Sequence, residues 1–187
     1  MSASIAYFYF DFKDTEKQHQ RNLLRSLLIQ LSTYSNSCCD KMYKVYSEHG
    51  KGTLQPTDDA LRGCLKEVLS TMNQHPNYIV LDALDECPDI TGVPSSREEV
   101  LNLVNDLVEL RLPNLHICVT SRPEIDILTV LEPLTSRCIS LHDHPGQKED
   151  IAVYIRSVVH SDTKMKRWRE DDRKLVVETL SEKADGM

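Results

Sequence analysis

Glycine is scarce in this sequence, with six residues among 187. A glycine-rich phosphate loop, G-x-x-x-x-G-K-[ST], therefore has little to be built from. The only Gly-Lys pair is Gly50-Lys51, where the first glycine would fall on Val45 and the hydroxyl on Gly52. Long apolar runs are also missing. None approaches the roughly 20 residues needed to cross a bilayer, which argues against a membrane partner. Six cysteines are present, Cys38, Cys39, Cys64, Cys87, Cys118 and Cys138, but none forms a C-x-x-C pair. The chain opens directly on a strand-like run with no secretory pattern, so the thiols read as reduced and the protein as cytoplasmic. Positive charge is short: the net charge is -7 and the pI about 5.5. That excludes a general nucleic-acid binder. The most basic stretch, Lys164, Lys166, Arg167 and Arg169, runs straight into Glu170, Asp171 and Asp172 and reads as a solvated helix face. Cys138, His142, Asp143 and His144 fit no zinc-finger spacing, and no second cluster completes four ligands.

What is present is ordinary globular material, 40% hydrophobic and 27% charged, enough for one core and the beginning of a second domain. Ile5 to Phe10 reads as a buried strand. Asp14 and Thr15 can cap the next helix, in which Leu23, Leu24, Leu27, Leu28 and Leu31 share one face. A second helical segment lies around Met42 to Tyr46, broken by Gly50 and Gly52. Pro56 and Thr57 open a helix striped by Leu61, Cys64, Leu65, Val68, Leu69 and Met72. Tyr78 to Leu81 is a continuous apolar run of the kind that suits a central parallel strand. Ser95 and Ser96, with Glu98 and Glu99, make two overlapping capping boxes before the next helix. Leu115 to Val119 reads as a strand, Pro123 starts a short helix, and Cys138 to Leu141 reads as a last strand. Helical patterns fill Ile151 to Val159 and Leu175 to Leu180, and Ala184 to Gly186 look like a helix end. Strands alternating with helices predict an α/β fold with a parallel sheet.

Two strand ends carry the chemistry. The run Tyr78 to Leu81 delivers three carboxylates, Asp82, Asp85 and Glu86. Ligands of open α/β sheets bind beyond the C-terminal ends of the strands. A carboxylate there can hold Mg²⁺ through water, and a second can orient or deprotonate an attacking water. The strand Leu115 to Val119 ends in Thr120, Ser121 and Arg122. A guanidinium at that position can meet a γ-phosphate. Cys87, next to Glu86, has no histidine partner nearby in sequence and reads as a small buried residue.

Asp82-Ala83-Leu84-Asp85-Glu86 resembles the extended Walker B motif of the STAND-class P-loop NTPases of the NACHT group, and Thr120-Ser121-Arg122-Pro123 resembles its sensor 1. Phe8 to Phe12 and the leucine-rich helix after it resemble the strand and helix that come after the phosphate loop. The nearest resemblance is to the nephrocystin-3-like N-terminal type found in fungal multidomain proteins. Lys183 to Met187 resembles a motif of the helical region beyond the core. The resemblance implies a partial three-layer P-loop sandwich over residues 1–141, lacking its first strand, and the start of a helical subdomain over 142–187. It implies a strand order of 5-1-4-3-2.

The resemblance also assigns roles. Asp82 would hold the Mg²⁺ of Mg-ATP or Mg-GTP through water, and Thr120 and Arg122 would face the nucleotide. Asp85 and Glu86 would position the attacking water, with the division of labour between them open. The intact proteins would be signal-transducing switches that oligomerise with themselves. Two departures stand out. Ala83 occupies a position where a small residue, often glycine, is usual. The phosphate loop is absent and would lie before Met1, so the chain is expected to be truncated and inactive alone. The alternative is a non-catalytic interaction module that keeps the fold without binding nucleotide.

Overall fold

A computed structural model of the chain describes residues 3–72, 74–89, 95–140 and 146–183. The expected helix end at Ala184 to Gly186 and the residues His142, Asp143 and His144 lie outside these. The chain divides into two compact units, residues 1–135 and 136–187.

The first unit is an α/β fold. It contains β1 (Ser4–Tyr9), α1 (Gln20–Ser32), α2 (Asn36–Glu48), α3 (Asp58–Thr71), β2 (Asn77–Asp82), α4 (Ser96–Glu109), β3 (Leu115–Val119) and α5 (Ile125–Leu131). The strands form one parallel sheet in the order β1-β2-β3. This is the neighbour order expected of the second, third and fourth strands. Phe8 pairs with Leu81, and Leu81 with Val119. The second unit carries α6 (Gln147–Ser161) and α7 (Glu170–Lys183), which pack on each other. The strand expected at Cys138 to Leu141 does not form: residues 138–140 make no ladder, and Leu141 lies outside the described residues. A strand is stabilised by its neighbour's backbone, and a segment as short as Cys138 to Leu141 supplies none of its own.

Local signals account for two of the helix starts. Thr57 caps α3 by accepting from the Ala60 amide at 3.2 Å, and Ser95 caps α4 by accepting from Glu98 at 3.1 Å. Ser96, the other box residue, instead meets His19 Nδ1 at 3.2 Å. Asp14 does not cap α1. It caps a single 3₁₀ turn, Thr15–Lys17, and α1 begins behind His19 with no side-chain cap.

One core serves the sheet and its helices. Ala6, Phe8, Ile79 and Leu81 of the sheet are buried with Leu23, Leu27 and Leu31 of α1, Leu65 and Leu69 of α3, and Leu103 and Leu107 of α4. The alternate residues point away from this core. Ile5, Tyr7, Tyr9 and Tyr78 are 39–57% exposed. Parallel sheets are normally covered on both faces, so this face is unusually open. The two edges differ as well. Along β1, the Gln30 amide donates to Tyr7 O at 2.7 Å and its oxygen accepts from Tyr7 N at 3.0 Å, while the Tyr34 hydroxyl donates to Ile5 O at 3.3 Å. These side chains cover the β1 edge as a strand would. Among the described residues no strand and no side-chain hydrogen bond covers the outer edge of β3.

An open, apolar edge beside an open face templates self-association. We expect the purified chain to self-associate at micromolar concentration. Placing lysine at the exposed Tyr7, Tyr78 and Cys118 together should shift it towards monomer in light scattering with little loss of melting temperature. A monodisperse wild-type chain with a cooperative melt above about 60 °C would contradict this.

Candidate functional site

The parallel register decides where the acidic residues sit. At the C-terminal end of the sheet, Phe10 N donates to Asp82 O at 3.0 Å and Thr120 N to Leu81 O at 2.9 Å. Asp82 and Thr120 therefore emerge side by side from β2 and β3. The Thr120 hydroxyl donates to Asp82 Oδ1 at 2.6 Å and accepts from Ala83 N at 2.9 Å. One oxygen of Asp82 is thus fixed by the protein, and Oδ2 has no protein partner among the described residues.

The chain then turns sharply. Ala83 has φ 55° and ψ 49°, in the left-handed region, and leads into a single 3₁₀ turn, Leu84–Glu86. A Cβ is disfavoured in that conformation, so glycine would fit the position with less strain than alanine. The turn is pinned through Leu84 N donating to Thr120 O at 3.0 Å, and the Leu84 side chain is buried in the core.

The turn brings Asp85 to Arg122. Asp85 Oδ1 accepts from the Arg122 backbone amide at 3.0 Å, and its Oδ2 lies 3.3 Å from Arg122 Nε. The Asp85 side chain is 8% exposed, whereas that of Arg122 is 78% exposed. The carboxylate is therefore held and the guanidinium extends into solvent. Glu86 faces another way, and its Oε2 accepts from Phe12 N at 3.2 Å, tying it to the loop after β1. All five residues singled out in the sequence thus converge at the strand ends, in two linked pairs with Glu86 to one side.

Sequence reasoning missed Arg97, in the first turn of α4. Its side chain is 8% exposed. Nε donates to Cys87 O at 2.9 Å and Nη2 to Asp85 O at 2.7 Å. Nη1 donates to Asp126 Oδ2 at 3.0 Å and also to Glu124 Oε2. Burial works against the charged form of Arg97, but hydrogen bonds to Asp126 and Glu124 outweigh it and leave its pKa above that of an ordinary arginine. Burial likewise raises the pKa of Asp126, but hydrogen bonds from Arg97 and the Ile127 backbone bring it below the usual aspartate value. A signal was available, since a cation in the first turn of a helix opposes the helix dipole and calls for a partner elsewhere.

Burial pushes the Cys87 thiol up to about 12, with Arg97 pulling the other way. Cys87 is a core residue whose Sγ lies 3.4 Å from Gln18 O, with no features of an activated nucleophile. Among the described residues no group of three His, Cys, Asp or Glu side chains is arranged to hold a metal ion, and no helix is long and apolar enough to cross a membrane. Gly50-Lys51-Gly52 forms a short turn between α2 and α3, not the strand-to-helix junction a phosphate loop occupies.

A family model described as "Nephrocystin 3, N-terminal" matches residues 1–122, from the first strand through Arg122. No curated protein and no solved structure matches the chain.

This geometry has two measurable consequences. Ala83→Gly removes a left-handed penalty of about 1–2 kcal/mol but adds unfolded-state freedom of about 0.4–1 kcal/mol, so it should be neutral to mildly stabilising in urea denaturation. Ala83→Val puts a β-branched residue in the same conformation and should cost about 1–3 kcal/mol. The second consequence concerns pH. The folded pKa of Asp126 is depressed, so its contribution is present above the unfolded value, about 3.9, and is lost as pH falls through the folded one. Stability should therefore drop below about pH 4, and Asp126→Asn should lower stability at neutral pH and flatten that acid limb in melts recorded across pH.

Proposed function

The chain belongs to the nephrocystin 3 N-terminal family, and on that premise we propose that it is the acidic half of a nucleotide-dependent switch of the NACHT type. A strand, phosphate loop and helix, supplied in cis or in trans, would complete it. One observation carries the reading: the sheet is open along the β3 edge and on one face, beside the carboxylates. The crossovers from β1 to β2 and from β2 to β3 advance in one direction and cover one face. A strand added at the β3 edge and leading back to β1 runs the other way. The right-handed rule puts its helix on the opposite face, the open one. A single β-α unit would thus cover both, with its loop beside Thr120 and one strand away from Asp82.

The residues fit the metal half of such a site. Asp82 keeps one carboxylate oxygen free at the end of the central strand, and a lone hard carboxylate suits Mg²⁺, which shares its coordination with water and phosphates. They do not supply the phosphate half, because the sequence carries no G-x-x-x-x-G-K-[ST] loop and its one Gly-Lys pair lies in a turn between two helices. In the completed site Thr120 orients Asp82. Asp85 and Glu86 position a water, and Arg122, exposed to solvent, reaches the terminal phosphate. Mg-ATP or Mg-GTP is the ligand class, and the metal would supply charge neutralisation at the phosphates.

A second reading, a non-catalytic interaction module, is favoured by a specific feature. Both proposed catalytic carboxylates already have partners within the chain, Asp85 with Arg122 and Glu86 with the Phe12 amide. The two readings part in one experiment. The chain alone should show no NTP turnover above a Glu86→Gln control. Fused behind a strand, phosphate loop and helix, it should hydrolyse NTP. Asp82→Ala should then weaken Mg-nucleotide binding about tenfold or more, and the amide variants of Asp85 or Glu86 should slow hydrolysis more than binding. Arg122→Ala should reduce discrimination between triphosphate and diphosphate in competition binding. No nucleotide binding by the fused protein would leave the interaction-module reading.

A further inference from the structure

The turn that presents Asp85 is too short to hold itself. Leu84–Glu86 is one 3₁₀ turn whose own backbone bonds are Glu86 N to Ala83 O at 2.9 Å and Cys87 N to Leu84 O at 3.0 Å. Neither bond fixes the carbonyl of Asp85 or of Cys87. Both carbonyls are taken by Arg97, at 2.7 Å and 2.9 Å. The other side of the same guanidinium is tied to Glu124 and Asp126, around the start of α5. One buried side chain thus joins the acidic turn, α4 and the segment beyond Arg122.

We propose that Arg97 is a positioning residue of this site, setting the backbone of Asp85 and through it the direction in which the Asp85 carboxylate meets Arg122. Its four hydrogen bonds all go to protein oxygens. Its functional consequence rests on the nucleotide-site reading above; its structural action does not. Three observations support the role. The guanidinium's planar fork makes four hydrogen bonds, to two carbonyls two residues apart and to two carboxylates, more than the three donors of an ammonium can supply. Its charge is met by Glu124 and Asp126, which leaves the Asp85 carboxylate to Arg122. Its place in the first turn of α4 opposes the helix dipole, so it is not there to stabilise that helix.

The test uses the full chain with amide hydrogen exchange read by NMR. Arg97→Lys keeps the charge but loses the fork. It should leave amide protection in β2 and α4 intact while the amides of Glu86, Cys87 and Arg122 exchange at least tenfold faster. Glu124→Gln, which keeps the guanidinium and loosens one tether, should affect the same three amides to a smaller degree. Unchanged exchange at these amides, or a uniform rise across β2 and α4, would overturn the proposal; the uniform rise would mark Arg97 as structural only. In the chain fused to a phosphate loop, Arg97→Lys should lower kcat at least tenfold and leave KM within twofold. Absence of hydrolysis in the fused wild type would sink the nucleotide reading alone, because the exchange test needs no nucleotide.

Discussion

Everything at the candidate site depends on the parallel ladder on either side of β2. Its last bonds, Phe10 N to Asp82 O and Thr120 N to Leu81 O, fix the register at the C-terminal end of the sheet. Side chains alternate with a period of two, so a slip of one residue would turn Asp82 into the core and Leu81 out of it. With the register as it is, the inward set Ala6, Phe8, Ile79 and Leu81 anchors the sheet on α1, α3 and α4, and Asp82 falls at the strand end beside Thr120.

From that anchor the polar contacts are built outward. Thr120 holds Asp82, and the left-handed step at Ala83 turns the chain so that Asp85 meets Arg122. Arg97 holds the turn from behind. The arrangement contains buried charge that is met on both sides, which is the condition under which a buried ion pair is tolerated. The same ladder leaves β3 with an unpaired edge and the sheet with a face carrying Ile5, Tyr7, Tyr9 and Tyr78. The part of the molecule best ordered for chemistry therefore borders the part least complete as a fold.

The family match and the geometry bear on different questions. The match covers residues 1–122 and assigns the chain to a family. The geometry shows how the strand-end residues are linked to one another. Nucleotide chemistry joins the two as a proposal, supported by the free oxygen of Asp82 and by the open edge and face beside it.

Much of this was legible in the sequence. Continuous apolar runs ending in polar groups gave the three strands and put Asp82, Asp85, Glu86, Thr120 and Arg122 at their ends, because a strand buried on its core face must be apolar and a strand end need not be. Leucine spacing gave the helices that cover the sheet, and Thr57 and Ser95 gave two of their starts. Tertiary structure decided the rest. Cys138 to Leu141 had the composition of a strand, but no ladder forms over residues 138–140. Asp14 had the chemistry of a helix cap and found a shorter turn. Arg97 looked like one more charge beside Glu98 and Glu99, and only the fold brings it to two carbonyls and two carboxylates from separate segments. Periodicity and composition report what a residue prefers locally; which partners it meets is set by chain crossings that no local pattern encodes.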